Sequence, residues 1–206
     1  MRRRRRGVDS VTAARLDDIR ADVESCRRCG LCATRTNAVP GSGGRDADIM
    51  LVGEAPGRSE DARGEPFVGA AGTRLAGALA RAGLARGDVY ITNVVKCRPP
   101  DNRVPTAEER QQCSEYLQAE IEAVNPRIIC ILGNTAFGSI LGGSEITKNR
   151  GKTASMNGRM YFVTIHPAAT IYNQELRGTF DADIQSVVRI AAEIRSGKVI
   201  TPDISY

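Results

Sequence analysis

The residues best suited to chemistry are six cysteines, which stand at Cys26, Cys29, Cys32, Cys97, Cys113 and Cys130. Cys26 and Cys29 form a C-x2-C pair, whereas Cys97 precedes a proline-rich loop and Cys113 lies in the helix predicted after it. A C-x2-C pair with two distant thiols suits a tetrahedral zinc ion or an iron–sulfur cluster. Cys32 continues the same spacing, so spacing alone does not decide the ligand set, nor does it exclude plain reduced thiols.

Three other side chains occupy positions suited to a flat ligand. Asn93 lies inside an apolar segment, where an amide is costly unless it is hydrogen-bonded. It either recognises the donor–acceptor edge of a ligand or is a satisfied core asparagine. Phe67 could stack on a ring or anchor its own loop. His166, the only histidine, ends an apolar segment before small residues that allow close approach of a ligand, although a lone histidine is often structural.

The glycine-rich segment LVGEAPGRSEDARGEPFVGAAG, residues 51–72, is of a kind that often binds phosphate. Its spacing fits neither the dinucleotide fingerprint nor the phosphate loop, and no lysine follows. Glu60, Asp61 and Glu65 would add negative charge where a phosphate would lie. The sequence therefore argues against a nucleotide cofactor.

Four apolar segments, DADIMLVGE, DVYITNVVK, RIICILG and RMYFVTIHP, predict buried strands separated by helices. Cys130 lies in the third and is predicted to be core. Thr106 is expected to cap a long helix, with Glu109 completing a capping box. This alternation predicts an α/β three-layer sandwich with a central four-stranded parallel sheet flanked by helices. The loops at the carboxyl ends of the strands then converge where ligands bind.

Length and charge predict one domain, residues 9–198, between a basic N-terminal tail, residues 1–8, and a C-terminal tail, residues 199–206. The net charge is +5, and the five arginines of Arg2–Arg6 account for this excess. That segment is either a DNA-binding arm or a solvated end. The chain has no long apolar segment and no secretory signal at its start, so we expect a cytoplasmic protein, with monomer as the default state and no membrane partner.

Five segments stand in order between about residues 22 and 195: CRRCGLCATRTNAVPGSG, VGEAPGRSEDARGEPFVGAAG, TNVVKCRPPDNRVPTAEE, RIICILGNTA and IHPAA. Together they resemble the motifs of the family-4 uracil-DNA glycosylases, the iron–sulfur branch of their superfamily. The resemblance implies a uracil-DNA glycosylase-like fold and hydrolysis of the N-glycosidic bond of flipped-out deoxyuridine, the first step of base-excision repair. It implies uracil-containing DNA, single- or double-stranded, as partner. A processivity clamp is a candidate second partner.

The resemblance also implies roles for individual residues. A [4Fe-4S] cluster would be bound by Cys26, Cys29, Cys97 and Cys113, with Cys32 as a neighbour. Uracil would be bound by Glu54, Ala55, Phe67, Asn93 and His166. Of these, Glu54, Asn93 and His166 are the catalytic candidates, with Phe67 stacking and His166 near uracil O2. Some relatives carry an aspartate in the first motif where this chain has Ala55, so the residue that activates water stays open, with Glu54 the nearest carboxylate.

Two other functions are compatible with the sequence. The first is a non-catalytic iron–sulfur protein that binds uracil-containing or single-stranded DNA. The second is a nucleic-acid-binding module in which the four cysteines hold zinc. Excision of uracil separates the first alternative from an enzyme, and the colour of the purified protein separates iron–sulfur from zinc.

Overall fold

The computed structural model describes residues 10–205, so the predicted basic tail with Arg2–Arg6 lies outside the described residues. Within that range the helices are α1 (Ser10–Ser25), α2 (Arg58–Arg63), α3 (Ala70–Arg81), α4 (Ala107–Val124), α5 (Asn134–Leu141), α6 (Ile146–Asn149), α7 (Ala169–Tyr172) and α8 (Leu176–Arg195). The strands are β1 (Ser42–Gly43), β2 (Ile49–Gly53), β3 (Tyr90–Asn93), β4 (Ile128–Leu132), β5 (Thr153–Met156), β6 (Arg159–Thr164) and β7 (Ile204–Ser205).

The strands of the described residues form one sheet in the order β1-β3-β2-β4-β6-β5-β7. The central strands β3, β2, β4 and β6 are parallel, which confirms the predicted fold class. Three short strands extend this sheet beyond the predicted four: β1 is antiparallel to β3, β5 is antiparallel to β6, and β7 is parallel to β5. The predicted domain division stays a prediction, although β7 lies within the segment predicted as a C-terminal tail.

Helices cover both faces of the sheet because the central strands are apolar on both sides. Along β4, Ile129 and Ile131 pack with α1, α4 and α5 on one face. Ile128, Cys130 and Leu132 pack with α3 and α8 on the other face. The thiol of Cys130 is fully buried in that second core, as predicted.

The start of α4 fixes the chain that follows the proline-rich loop. Thr106 Oγ1 accepts a hydrogen bond from the amide of Glu109, whose carboxylate accepts one from the amide of Thr106, so the predicted capping box is confirmed. Arg103 binds the same carboxylate through two nitrogens, at 2.6 and 2.8 Å, and this contact lowers the pKa of Glu109 to about 2. The loop between Cys97 and Cys113 is therefore anchored at its far end.

No helix among residues 10–205 combines the length and the apolar composition needed to cross a membrane.

Candidate active site and cysteine cavity

The carboxyl ends of four parallel strands bring the predicted ligand-binding residues to one edge of the sheet. Gly53 at the end of β2 pairs with Asn93 at the end of β3. Leu132 at the end of β4 pairs with Thr164, two residues before His166. The alternation of strands and helices positions these residues together even though they are far apart in sequence.

Asn93 is an unsatisfied amide at this edge. Its side chain is 1% exposed, and among the residues that the structure describes neither Oδ1 nor Nδ2 has a hydrogen-bond partner. A Cβ atom at Gly53 would lie 2.6 Å from Asn93 Oδ1, so only glycine leaves room for the amide there. A buried amide without partners costs about 1–3 kcal/mol. Asn93 is therefore not the satisfied core asparagine that the sequence allowed, and its unpaired groups remain available to a ligand.

Phe67 is held beside Asn93 in a conformation that is unusual for its type. Its φ is 53°, in the left-handed region, and Arg86 fixes this turn by donating to the carbonyl oxygens of Pro66 and Phe67. A Cβ atom at Gly53 would lie 2.6 Å from Phe67 Cζ, so the ring adjoins the Asn93 amide. The centroids of the Phe67 and His166 rings are 5.7 Å apart.

Glu60 holds the glycine-rich loop closed around this edge. Its carboxylate accepts hydrogen bonds from the amides of Gly57, Val68 and Gly69, at 3.1, 2.9 and 2.7 Å. Hydrogen bonds to a carboxylate are stronger than those between neutral groups, so Glu60 ties both ends of the loop that presents Phe67. The sequence indicated only that Glu60 is negatively charged, because its partners are backbone groups.

His166 is partly buried, and its hydrogen bonding defines which nitrogen carries the proton. The amide of Ala168 donates to His166 Nδ1 at 3.2 Å, so in the neutral ring the proton is on Nε2. Burial lowers the pKa of His166 to about 4, and the nearby negative charge of Glu60 opposes that shift. His166 is thus a neutral hydrogen-bond donor at physiological pH.

This protonation state predicts a simple titration. Because His166 is the only histidine, an untagged protein with labelled histidine should give one ring signal with a midpoint near pH 4 by NMR. Since the unfolded ring takes up its proton near pH 6.5, the contribution of His166 to stability is present above that pH and is lost as the pH falls towards 4. A midpoint at or above 6.5 would contradict the buried neutral donor.

Glu54 and Ala55 follow β2 directly and lie next to the strand that carries Asn93. The amide of Val95 donates to Glu54 O at 3.1 Å, which continues the pairing of β2 with the chain after β3. The hydroxyl of Thr135, at the start of α5, donates to Glu54 Oε2. Ala55 offers only its backbone and packs against the core. Thr135 was not predicted, because nothing local in the sequence links it to Glu54.

Five cysteines line a cavity on the α1 and α4 side of the sheet: Cys26, Cys29, Cys32, Cys97 and Cys113. Arg35 donates to Cys97 Sγ at 3.0 Å, and the amide of Lys96 donates to Cys113 Sγ at 3.3 Å. Burial raises the pKa of the Cys97 thiol, and it raises that of Cys113 to about 11. A raised pKa means that deprotonation of these thiols costs additional free energy. Coordination to a metal centre would offset this cost, because coordinated thiols are deprotonated.

The structure thus brings the four predicted metal ligands together without excluding Cys32. Within residues 10–205, no three side chains of His, Cys, Asp or Glu are arranged to hold a single metal ion. The predicted roles of these cysteines, like those of Glu54, Ala55, Phe67, Asn93 and His166, stay predictions.

Two apolar side chains that follow His166 in the sequence are exposed, which the sequence did not predict. Ile171 and Tyr172 lie on α7, and Tyr172 is 90% exposed. The sequence shows only that apolar residues follow the histidine, whereas their exposure depends on the short helix that turns them outwards.

Residues 40–189 match the family model described as the uracil DNA glycosylase superfamily. The chain is 46% identical over 181 residues to a type-4 uracil-DNA glycosylase of Archaeoglobus fulgidus, covering 84% of this chain and 91% of that protein. It is 44% identical over 200 residues to a type-4 uracil-DNA glycosylase of Saccharolobus solfataricus, covering 91% and 90%. A type-5 uracil-DNA glycosylase of Pyrobaculum aerophilum is 35% identical over 179 residues, covering 78% and 79%.

Proposed function

The chain belongs to the uracil DNA glycosylase superfamily, and from this membership and the geometry of the strand ends we propose that it hydrolyses the N-glycosidic bond of deoxyuridine in DNA. The products are free uracil and an abasic site, which begins base-excision repair. A base inside a duplex is out of reach, so the nucleotide has to be flipped out of the stack.

The observation that carries the proposal is the unpaired amide of Asn93. Uracil presents a donor at N3 and an acceptor at O4, and Asn93 Oδ1 and Nδ2 complement this pair. In this orientation the amide does not complement cytosine, which presents an acceptor at N3 and a donor at N4. A site that relies on hydrogen bonds in this way discriminates strongly between similar ligands. Phe67, adjoining the amide, supplies the surface on which the ring stacks.

His166 supplies the interaction that favours bond cleavage. As the bond between C1′ and N1 breaks, the electron pair leaves with N1 and negative charge spreads to uracil O2. The Nε2–H group of neutral His166 donates to that oxygen, and a preorganised donor of this kind is worth about 3 kcal/mol in the transition state. Water adds at C1′, and the proton that it loses is balanced by protonation of the departing uracil anion from solvent, which gives free uracil and the abasic sugar. We assign to Glu54, which Thr135 orients, the positioning of this water.

The direct test is a uracil-containing oligonucleotide incubated with the protein and then treated with alkali, which breaks the strand at abasic sites. We expect cleavage of single- and double-stranded substrates at uracil and none in a thymine control. Binding without cleavage would favour the non-catalytic alternative instead.

Replacing Asn93 with leucine is expected to separate activity from stability. The variant should lose uracil excision, whereas its free energy of unfolding should stay unchanged or rise by up to about 1–3 kcal/mol, because an unsatisfied buried amide has been removed. Thermal unfolding and single-turnover excision measure the two effects. A clear loss of stability would show that Asn93 is satisfied in the free protein and would contradict its assignment to the ligand.

We also infer that Cys26, Cys29, Cys97 and Cys113 bind a [4Fe-4S] cluster. Support comes from the thiols around one cavity, from the donors Arg35 and Lys96 that would stabilise thiolate charge, and from the type-4 relatives. The cluster would serve the structure by joining the segment after α1 to the start of the loop that precedes α4, through Cys97, and to α4 itself, through Cys113. Catalysis is left to the strand-end residues.

The purified protein is accordingly expected to be brown, with iron and sulfide at about four atoms each per chain. Cys97→Ala should lose this absorption. Cys32→Ala and Cys130→Ala are matched controls that should keep it, and retention by Cys32→Ala decides the ambiguity among the five thiols. A colourless protein that contains zinc would contradict the cluster.

We further propose a monomer that acts in the cytoplasm, with a processivity clamp as candidate partner. The proposal rests on the sequence expectations alone. Light scattering with and without the clamp protein tests the association and the monomeric state.

A further inference from the structure

A pocket of about 540 Å³ next to the cysteine cavity carries a concentration of positive charge that the proposed reaction does not use. Four arginines line it, Arg20, Arg27, Arg35 and Arg63, and we call it the arginine pocket. One carboxylate, that of Glu24, lies among them and contacts Arg20 at 3.6 Å. The pocket therefore has a strong positive balance, in a chain whose net charge without Arg2–Arg6 is close to zero.

Two of these arginines are part of the framework and two are free. Arg35 donates to Cys97 Sγ and to the carbonyl oxygens of Glu24 and Cys26, and Arg20 donates to Gly41 O. In the described part of the chain, Arg27 and Arg63 are exposed and have neither a hydrogen bond nor an ion pair. Arg27 and Arg63 are thus the groups that can take up an anionic partner.

The wall between the arginine pocket and the glycine-rich loop is fixed. Asp61 Oδ1 accepts hydrogen bonds from the amides of Thr36 and Asn37, and the side chain of Asn37 donates to Asp61 O at 2.7 Å. Asp61 and Arg63 belong to α2, which starts just after the loop that carries Glu54. Gly64 lines the arginine pocket and stands three residues before Phe67, so the backbones of these two residues lie within about 11 Å of each other.

We propose that the arginine pocket binds phosphates of the DNA strand on one side of the flipped nucleotide. Guanidinium groups match phosphate oxygens, and contacts to the backbone position DNA without reading its sequence. This inference rests on the proposed action on DNA. It assigns to Arg27 and Arg63 a role in affinity that is separate from base recognition and from bond cleavage.

The test measures binding to uracil-free DNA over a series of salt concentrations, for Arg27→Ala, Arg63→Ala and the double variant. Each phosphate contact that is lost reduces the number of counterions released when the protein binds DNA. The magnitude of the slope of log affinity against log salt should therefore fall by about one per arginine, and the affinity at low salt should fall severalfold. Arg189→Ala is the matched control, because it also removes one positive charge. Arg189 is exposed on α8, which lies on the opposite face of the sheet. Arg27→Lys should retain most of the slope.

With saturating uracil-containing DNA, the single-turnover excision rate of the double variant should equal that of the unaltered protein. A slope unchanged in the double variant, or lowered equally by Arg189→Ala, would overturn the proposal. Binding is measured on DNA without uracil, so the two proposals fail separately. Absence of uracil excision would contradict only the proposed function, and an unchanged salt slope would contradict only phosphate binding in the arginine pocket.

Discussion

Replacing His166 with alanine is expected to lower the single-turnover rate of uracil excision by roughly 10²–10³-fold, the usual cost of removing one donor to a developing oxyanion. The structure gives the reason. Ala168 donates to Nδ1, so Nε2 carries the proton, and burial keeps the ring neutral by lowering its pKa to about 4. The donor is therefore in place before the bond breaks, without any proton uptake.

Two comparisons make this expectation specific. His166→Gln places an amide nitrogen near the position of Nε2 and should recover part of the rate lost by His166→Ala. Affinity for DNA should be nearly the same in both variants, since the hydrogen bond strengthens only as charge develops on O2. The rate of the unaltered protein should show no inflection near pH 6.5, because His166 stays neutral far below it. Loss of binding rather than rate in His166→Ala would place the residue in ground-state recognition.

How far the sequence predicts the site depends on whether a residue acts through its place in a strand or through distant partners. Asn93 was predicted inside a strand and His166 at the end of one because apolar segments locate the strands, and parallel strands gather their carboxyl ends. The lack of hydrogen-bond partners for the Asn93 amide was not predictable, since it depends on which groups of β2 and the glycine-rich loop lie next to the amide. Short strands such as β1 and β7 escaped prediction because two residues carry no periodicity.

The residues that sequence reasoning missed act through partners that leave no signal in the local sequence. Thr135 contacts Glu54 from another helix, and Glu60 binds backbone amides that have no sequence signature. Lys96 is the strongest case. In sequence it stands next to Cys97 in a polar loop, yet its side chain is 1% exposed and forms an ion pair of 2.6 Å with Glu120, which is fully buried. A composition-based expectation would place both charges on the surface.

The Lys96–Glu120 pair connects the two functional regions. Lys96 Nζ donates to Glu120, to Thr92 Oγ1 and to the carbonyl oxygen of Asn93, at 2.6, 2.6 and 2.8 Å, so all its protons are used. Glu120 also accepts from Thr92 Oγ1 and from the amide of Gly41. The backbone of Lys96 meanwhile donates to Cys113 Sγ. One residue therefore supports both the base-recognising strand end and the cysteine cavity.

Lys96→Met is accordingly expected to destabilise the fold by about 3–5 kcal/mol, because it leaves the charge of Glu120 buried without its counterion. For a chain of this size the midpoint of thermal unfolding should fall by roughly 6–20 °C. Lys96→Met combined with Glu120→Leu should regain much of this loss, since replacing a whole buried pair with apolar groups is often close to neutral. Thermal unfolding of the two single variants and the double variant completes the cycle and gives the coupling between the charges.

The rate of uracil excision by the double variant then shows whether the Lys96–Glu120 pair only stabilises the fold or also positions Asn93. Even with stability regained, the carbonyl of Asn93 lacks its donor and the end of β3 is no longer held, so we expect excision to stay well below that of the unaltered protein. The visible absorption of the double variant reports in the same sample whether the cysteine cavity has kept its cluster. Full recovery of both stability and excision would show that the buried pair stabilises the fold without positioning Asn93, because the strand end would then keep its geometry without the Lys96 hydrogen bond.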